Sequence, residues 1–129
     1  MRIMIVDDSQ TFREAISHIL SKNTAHQIVG EAENGKHAVE MFEKINPDLI
    51  LMDIEMPVMN GINASKLILK KNKAVKIIAV SNYDEKLYLK EIIDAGLIGF
   101  VNKNKVFDQL EDAITHAYIG KLYIPNELK

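Results

Sequence analysis

The chain has 129 residues, of which 47% are hydrophobic and 26% charged, the composition of an ordinary globular domain. Its net charge of −2 excludes a general electrostatic attraction to nucleic acid or to an anionic membrane, and the absence of cysteine excludes disulfides and thiolate metal sites. No apolar run is long enough to span a bilayer or forms a signal peptide, so we expect a single-domain cytoplasmic protein.

Strands and helices are predicted to alternate in the first half of the chain. Short, fully apolar runs indicate buried strands, and apolar residues spaced by three and four positions indicate helices. In order, these patterns predict a strand at about 2–7, a helix capped by Ser9, a strand at 27–32, a helix stopped by Asn46-Pro47 and a strand at about 48–53.

The same alternation continues to the end of the chain. The predicted elements are a helix capped by Asn60 that runs to about Lys71, a strand at 75–80, a helix at about 84–95, a strand at 98–101 and a helix at about 105–119. The spacing in the last helix predicts an inward face made of Phe107, Leu110, Ile114, Ala117 and Tyr118.

The four histidines lack metal-ligand spacing, so we expect all of them on the surface: His18, His26, His37 and His116.

Five apolar strands separated by five helices indicate an α/β fold with a parallel sheet that is covered on both faces. The polar residues that end these strands then lie along one edge of the sheet. They are Asp7 and Asp8 after the first strand, Asp53 after the third, Ser81 after the fourth and Lys103 after the fifth. In the doubly wound strand order 2-1-3-4-5, the three aspartates meet where the order reverses.

Three carboxylates in one crevice repel each other, which raises their pKa values or requires a cation. Mg2+ suits such a site, because it accepts carboxylate oxygens and leaves room for a phosphate oxygen. The carboxylate of Asp53 could then attack phosphorus as a nucleophile. The metal and Lys103 would neutralise the developing charge, and Ser81 could donate a hydrogen bond to a phosphoryl oxygen.

Four motifs carry a resemblance to a known family. They are Val6-Asp7-Asp8-Ser9, Met52 to Pro57 with Gly61 eight residues after Asp53, Ala79-Val80-Ser81, and Gly99 to Lys103. Over residues 1–120 the chain resembles a response regulator receiver domain, the CheY-like phosphoacceptor part of two-component systems. The resemblance implies a flavodoxin-like (βα)5 three-layer sandwich with strand order 2-1-3-4-5. Residues 121–129 would be a tail or the start of a linker to an output domain that is absent from this chain.

The resemblance also implies a role for each strand-end residue. A sensor histidine kinase would phosphorylate Asp53. Asp7, Asp8 and Asp53 would hold Mg2+ or Mn2+ together with the backbone carbonyl of Glu55. Lys103 would pair with the phosphoryl group and Ser81 would move toward it. Phe100 would turn inward as the switch residue and alter the face formed by the fourth helix, fifth strand and fifth helix.

The chain departs from the family pattern at two positions. Phe100 differs from the family members that carry tyrosine at this position, so no hydroxyl is available to hold either position of the ring. Asn104 follows Lys103 where many members have proline with a cis peptide bond, a conformation that is costly before any other residue. The loop after the fifth strand is therefore less predictable than the rest of the site.

Glu55, Asn82 and Tyr83 are expected to modulate the site. In the family, the positions of Glu55 and Tyr83 border the water that hydrolyses the acyl phosphate. A charged Glu55 and a bulky Tyr83 could shape or block that approach, and our hypothesis is that they set the lifetime of the phosphorylated state. Asn82, directly after Ser81, suits the LuxR-type subfamily of transcriptional regulators, as does the ending from Gly120 to Leu128.

Several functions compete with a kinase-controlled transcriptional regulator. A stand-alone receiver acting through protein contacts is the main alternative, and a degenerate receiver is a further one. A haloacid dehalogenase-type phosphatase requires Asp-x-Asp, which the adjacent Asp7 and Asp8 do not match. A flavodoxin-like electron carrier requires a glycine-rich phosphate loop in place of these acids. We therefore expect no multiple-turnover enzyme.

The expected partners follow from the same family. Phosphorylation could produce a homodimer, either through helices one and five or through the fourth helix, fifth strand and fifth helix. DNA would be contacted only by an output domain.

Overall fold

A five-stranded parallel sheet forms the centre of the molecule. The computed structural model describes residues 1–82 and 85–125, with the backbone alone for 85–87. The strands are β1 (Arg2–Val6), β2 (Gln27–Ala32), β3 (Leu49–Met52), β4 (Lys76–Ser81) and β5 (Gly99–Asn102). All neighbours pair in parallel, in the order β2-β1-β3-β4-β5. The predicted doubly wound, flavodoxin-like α/β fold is therefore confirmed.

Five helices connect the strands, and polar side chains fix where the first three begin. They are α1 (Gln10–Ser21), α2 (Gly35–Ile45), α3 (Gly61–Lys71), α4 (Glu85–Asp94) and α5 (Val106–Tyr118), the last preceded by a 3-10 turn (Lys103–Lys105). The side chains of Ser9, Asn34 and Asn60 each accept a hydrogen bond from the backbone N–H three residues later. No helix in the described ranges combines the length and apolar character needed to cross a lipid bilayer.

The core consists of two apolar layers, one on each face of the sheet. Successive strand residues point to opposite faces, so Met4 and Val6 enter one layer while Ile3 and Ile5 enter the other. The first layer packs the sheet against α2, α3 and α4, and the second packs it against α1 and α5. The sheet is thus covered on both faces, which leaves its carboxyl edge as the place for polar side chains.

Two residues of α5 lie on the opposite side from the prediction. Leu110, Ile114 and Ala117 are buried as expected, but Phe107 is 73% exposed and Tyr118 is 72% exposed. The buried stripe of the helix runs from Val106 through Leu110 to Ala117. Phe107 follows the buried Val106 and Tyr118 follows the buried Ala117, and one residue turns the helix by about 100°. Their side chains therefore point into solvent.

His26 also differs from the surface position predicted for it. Its side chain is 7% exposed, and its Nε2 lies 3.2 Å from Glu111 Oε2 on α5. The turn between α1 and β2 folds back against α5, and this contact encloses the ring. Sequence periodicity carries no information about such a packing of a turn against a distant helix.

The residues after α5 return to the sheet instead of leaving it. The Tyr123 N–H donates to Ile98 O at 2.9 Å, and Tyr123 O accepts from the Phe100 N–H at 3.0 Å. This places Tyr123 parallel to Gly99 as an isolated bridge on the outer edge of β5. The Tyr123 ring also meets His116 of α5 at a centroid distance of 5.1 Å. Residues 121–125 therefore cover the edge strand, a contact that the sequence did not predict.

Candidate functional site

The sheet delivers two aspartates side by side at its carboxyl edge. Asp7 follows β1 and Asp53 follows β3, the two strands between which the strand order reverses. The Asp53 N–H donates to Val6 O at 2.9 Å, and the Asp7 N–H donates to Ala32 O at 3.0 Å. Both residues therefore extend the sheet hydrogen bonding by one position. Their side chains are buried, whereas Asp8 is exposed.

Carboxylate oxygens of Asp7, Asp8 and Asp53 lie within 4.8 Å of one another. One oxygen of Asp7, Oδ1, accepts the Ser9 N–H at 2.8 Å. The other, Oδ2, is buried and has no hydrogen bond of regular geometry, although Lys103 Nζ lies 2.5 Å away. Clustered carboxylate oxygens of this kind are ligands for a hard divalent cation such as Mg2+ or Mn2+. The donor set thus fits the predicted metal.

Lys103 reaches the acids from the turn that follows β5. Its Nζ lies 2.5 Å from Asp7 Oδ2 and 3.3 Å from Asp53 Oδ2, and its side chain is 12% exposed. Burial acts to lower the pKa of Lys103, but the close contact with Asp7 and the charges of Asp53 and Asp7 together outweigh burial and raise it. Lys103 is therefore a permanent cation at neutral pH.

The turn that carries Lys103 is held by a side-chain cap. Asn102 Oδ1 accepts the Asn104 N–H at 2.8 Å. The described residues contain no cis peptide bond, so the chain passes from Lys103 to Asn104 through a trans bond. Asparagine capping thus builds the turn that follows β5.

Asp53 has a strongly perturbed acidity. Burial and, after it, the negative charge of Asp7 raise the pKa of Asp53, and Lys103 offsets part of this change, so that the resulting pKa is about 7. Without a divalent cation, a large fraction of Asp53 is therefore protonated at neutral pH. A cation near the cluster would favour the ionised, nucleophilic form of the carboxylate.

The predicted switch residues occupy β4 and β5. Ser81 ends β4, is 1% exposed and pairs in register with Asn102. Phe100 is also 1% exposed and belongs to the apolar layer beneath α2, α3 and α4. Its ring is thus inside the protein in this structure, so any switching motion begins from an inward position. Asn82 is exposed beside Ser81, and Tyr83 lies outside the described residues.

Glu55 has a partner that the sequence did not indicate. The Tyr88 hydroxyl of α4 donates to Glu55 Oε1 at 2.9 Å. The two residues line an open cleft of about 580 Å³ together with Asp8, Lys66 and Glu91. No local signal links positions 33 residues apart, so only the packing of α4 against the loop after β3 shows this contact.

Two neighbouring residues of α1 also reach the site. Arg13 Nη1 donates to Asp7 O at 2.6 Å, and Arg13 Nε contacts Glu31 of β2 at 3.0 Å. Lys103 Nζ lies 4.5 Å from the centre of the Phe12 ring. Helical spacing predicts Phe12 only as an inward-facing residue. The sequence pointed to a role at the site only through the position of Phe12 in the first turn of α1, shortly after Asp7 and Asp8.

The family model of the response regulator receiver domain matches residues 3–115. The chain belongs to this family. Receiver domains are components of two-component systems, which implies a histidine kinase as partner. They normally bind Mg2+ and generally are not multiple-turnover enzymes. The phosphatase and electron-carrier interpretations of the sequence therefore lose their support.

Known relatives of this receiver domain include regulators of transcription. The transcriptional regulatory protein DegU of Brevibacillus brevis is 36% identical over 124 residues, which are 96% of this chain and 52% of DegU. A LuxR-family response regulator from Aurantimonas sp. SI85-9A1 has a structure with a TM-score of 0.93 at 25% identity, covering 98% of this chain and 91% of that one.

A further similar structure is that of a single domain of a response regulator. The response regulator domain of Thermotoga maritima CheB has a TM-score of 0.84 at 33% identity, covering 91% of this chain and 95% of that one. In contrast, the chain spans about half the length of DegU.

Proposed function

We propose that this receiver domain accepts a phosphoryl group from a histidine kinase onto Asp53. The observation that carries the proposal is the juxtaposition of the buried Asp53 carboxylate with Asp7 and with Lys103 Nζ, 3.3 Å from Asp53 Oδ2. This arrangement supports the proposal, because a carboxylate that could act as a nucleophile lies beside two acids able to hold a cation and beside a fixed positive charge.

The transfer would exchange one bond to phosphorus for another. A carboxylate oxygen of Asp53 attacks the phosphorus of the phosphohistidine, an O–P bond forms and the P–N bond breaks. The histidine nitrogen keeps the electron pair and takes a proton from solvent. Lys103 is placed to pair with the oxygens of the transferred group. Mg2+ or Mn2+, held by Asp7, Asp8, Asp53 and the Glu55 carbonyl, would neutralise negative charge on that group.

Phosphorylation would act on the face formed by α4, β5 and α5. The Ser81 hydroxyl would move to donate a hydrogen bond to a phosphoryl oxygen, since Ser81 ends the strand beside Asp53. Phe100 on the adjacent strand would then repack in the layer that contacts α4. A change at β5 would also reach residues 121–125, because the Phe100 N–H is bonded to Tyr123 O.

Phosphoryl uptake is tested by incubation with Mg2+ and acetyl phosphate followed by mass spectrometry. We expect wild-type protein to gain the mass of one phosphoryl group and Asp53→Asn to gain none, because an amide cannot form the acyl phosphate. Asp48→Asn is the matched control, since Asp48 is an exposed aspartate that binds the Arg2 N–H at 2.8 Å away from the site. Uptake by Asp53→Asn would refute the proposal.

The lifetime of the phosphorylated state should depend on Glu55 and Tyr83. We expect Glu55→Ala and Tyr83→Ala to speed dephosphorylation by about threefold, which corresponds to ~0.7 kcal/mol in the barrier, because each truncation opens the approach of water. Tyr88→Phe should act in the same direction, since it frees the Glu55 carboxylate. Loss of phosphate from the purified protein measures the rate. Glu91→Ala, an acid in the same cleft, is the control, and unchanged rates in the Glu55 and Tyr83 variants would contradict the hypothesis.

We further propose that the output is transcriptional, through a DNA-binding domain joined beyond residue 125. The names of longer relatives such as DegU support this function, and the cytoplasm is the compartment it requires. A stand-alone receiver that acts by protein contacts remains the alternative.

Phosphorylation would also promote a homodimer through α1 and α5, because α5 exposes Phe107 and Tyr118. Sizing with beryllofluoride and Mg2+ tests the dimer, and an unchanged elution volume would contradict it.

A further inference from the structure

The ammonium group of Lys103 has an aromatic neighbour as well as two carboxylates. Its Nζ lies 4.5 Å from the centre of the Phe12 ring, within the range of a cation–π interaction. The shorter of its two carboxylate contacts is to Asp7, at 2.5 Å, and the longer is to Asp53, at 3.3 Å. Three groups on three segments of the chain therefore position one cation.

Two hydrogen bonds fix the turn of α1 that carries Phe12. The Phe12 N–H donates to Ser9 Oγ at 3.2 Å, which caps α1. The next residue, Arg13, anchors the same turn to Asp7 O at 2.6 Å. The half-buried ring packs against the apolar layer of α1 and α5. Phe12 therefore offers a preformed aromatic face at the rim of the acidic cluster.

A divalent cation in the cluster would compete with Lys103 for Asp7. The buried Oδ2 of Asp7 is the oxygen that Lys103 contacts, and one oxygen cannot serve both cations fully. Lysine has a flexible four-carbon stem, so an ammonium that loses its closest carboxylate is free to turn toward water. The attraction of the ring persists, because it does not depend on either carboxylate.

We propose that Phe12 is a positioning residue for phosphoryl transfer. Its ring holds Lys103 Nζ at the edge of the cluster while Asp7 binds the cation, so Lys103 stays within reach of the phosphoryl group on Asp53. The inference rests on the proposed function, because the cation and the phosphoryl group come from it. A ring that served only to fill the core would be replaceable by another apolar side chain.

The first measurement observes Lys103 directly by NMR in protein carrying 13C-labelled lysine. An aromatic face shifts nearby protons upfield, so the Lys103 ε-methylene signal should be upfield in wild type and should stay there at saturating Mg2+. The signal should return to the ordinary lysine position in Phe12→Leu and stay upfield in Phe12→Tyr. An Mg2+ titration that moves the wild-type signal to the ordinary position would overturn the proposal, whether or not the protein is phosphorylated.

The second measurement compares phosphorylation rates at saturating acetyl phosphate and Mg2+. Phe12→Leu should be slower than wild type by about three- to tenfold, the range of a partly buried cation–π contact, and Phe12→Tyr should restore the rate. Phe42→Leu, at a buried site in the other apolar layer, controls for general loss of packing and should keep the wild-type rate. A full rate in Phe12→Leu, or an equal loss in Phe12→Tyr, would overturn the proposal. Lack of uptake by wild type would instead refute the proposed function.

Discussion

Alanine at position 61 is expected to destabilise the domain by about 3 kcal/mol or more, because the new methyl group has no space. Gly61 begins α3, and a Cβ built on it would lie 1.9 Å from Asp53 O and 2.9 Å from Met52 Cγ. The obstructing oxygen is the backbone carbonyl of Asp53, the proposed phosphoacceptor, so a rotamer change cannot relieve the overlap. The Gly61 N–H also donates to Ile54 O at 2.8 Å, which ties α3 to the same loop.

Urea denaturation of Gly61→Ala measures this effect. Gly120→Ala is the matched control, because a Cβ there meets nothing within 4 Å and the residue differs from an ordinary one only in its φ of +77°. That conformation costs alanine about 1 kcal/mol. Equal losses of stability in the two variants would show that crowding at Asp53 O is not the cause. We also expect Gly61→Ala to slow phosphorylation, since any relief of the overlap displaces Asp53.

Metal-free protein is expected to become less stable as the pH rises from about 4 to about 7. The folded-state pKa of Asp53 is about 7 and its unfolded value is 3.8, so between these values the folded state binds more protons than the unfolded state. Stability therefore falls with rising pH across that window and is level above it. After allowance for solvent screening, we expect a loss of about 2 kcal/mol.

Substitution of Asp53 by asparagine removes this carboxylate, and we expect the substitution to stabilise the metal-free protein at high pH. In a chelator at pH 8, Asp53→Asn should be more stable than wild type by about 2 kcal/mol, and at pH 4 the two should be nearly equal. Mg2+ at pH 8 should stabilise wild type more than Asp53→Asn. Denaturation midpoints at the two pH values, with and without Mg2+, give the comparison. Parallel pH profiles for wild type and Asp53→Asn would contradict the prediction, and Asp48→Asn should follow wild type.

The sheet and the position of the site were predictable from the sequence, because both depend on local patterns. Fully apolar runs that alternate with helices are typical of a parallel sheet covered on both faces, and such a sheet places the residues that end its strands along one edge. Ser9, Asn34 and Asn60 mark helix starts through short-range hydrogen bonds. The gathering of Asp7 and Asp53 follows from these rules once the strand order is known.

The other contacts depend on packing between segments distant in sequence. Phe12 meets Lys103 across 91 residues of chain, and Tyr88 meets Glu55 because α4 folds over the loop after β3. Helical spacing placed Phe107 and Tyr118 on the inward face of α5, whereas packing against the second apolar layer buries Val106 and Ala117, the residues just before them. Phe100 shows the same dependence, since its inward position is a property of the layer that surrounds it.

Tyr123 also determines where a folded fragment of this protein can be cut. A fragment ending at residue 120 would lose the pairing at the outer side of β5 and present the Phe100 N–H and the Ile98 carbonyl as an open edge. Unpaired edges of this kind recruit strands from other molecules and promote aggregation. For sensor chimeras, a fusion point after residue 125 preserves this protection. It also starts the attached protein beside the strand that carries Phe100.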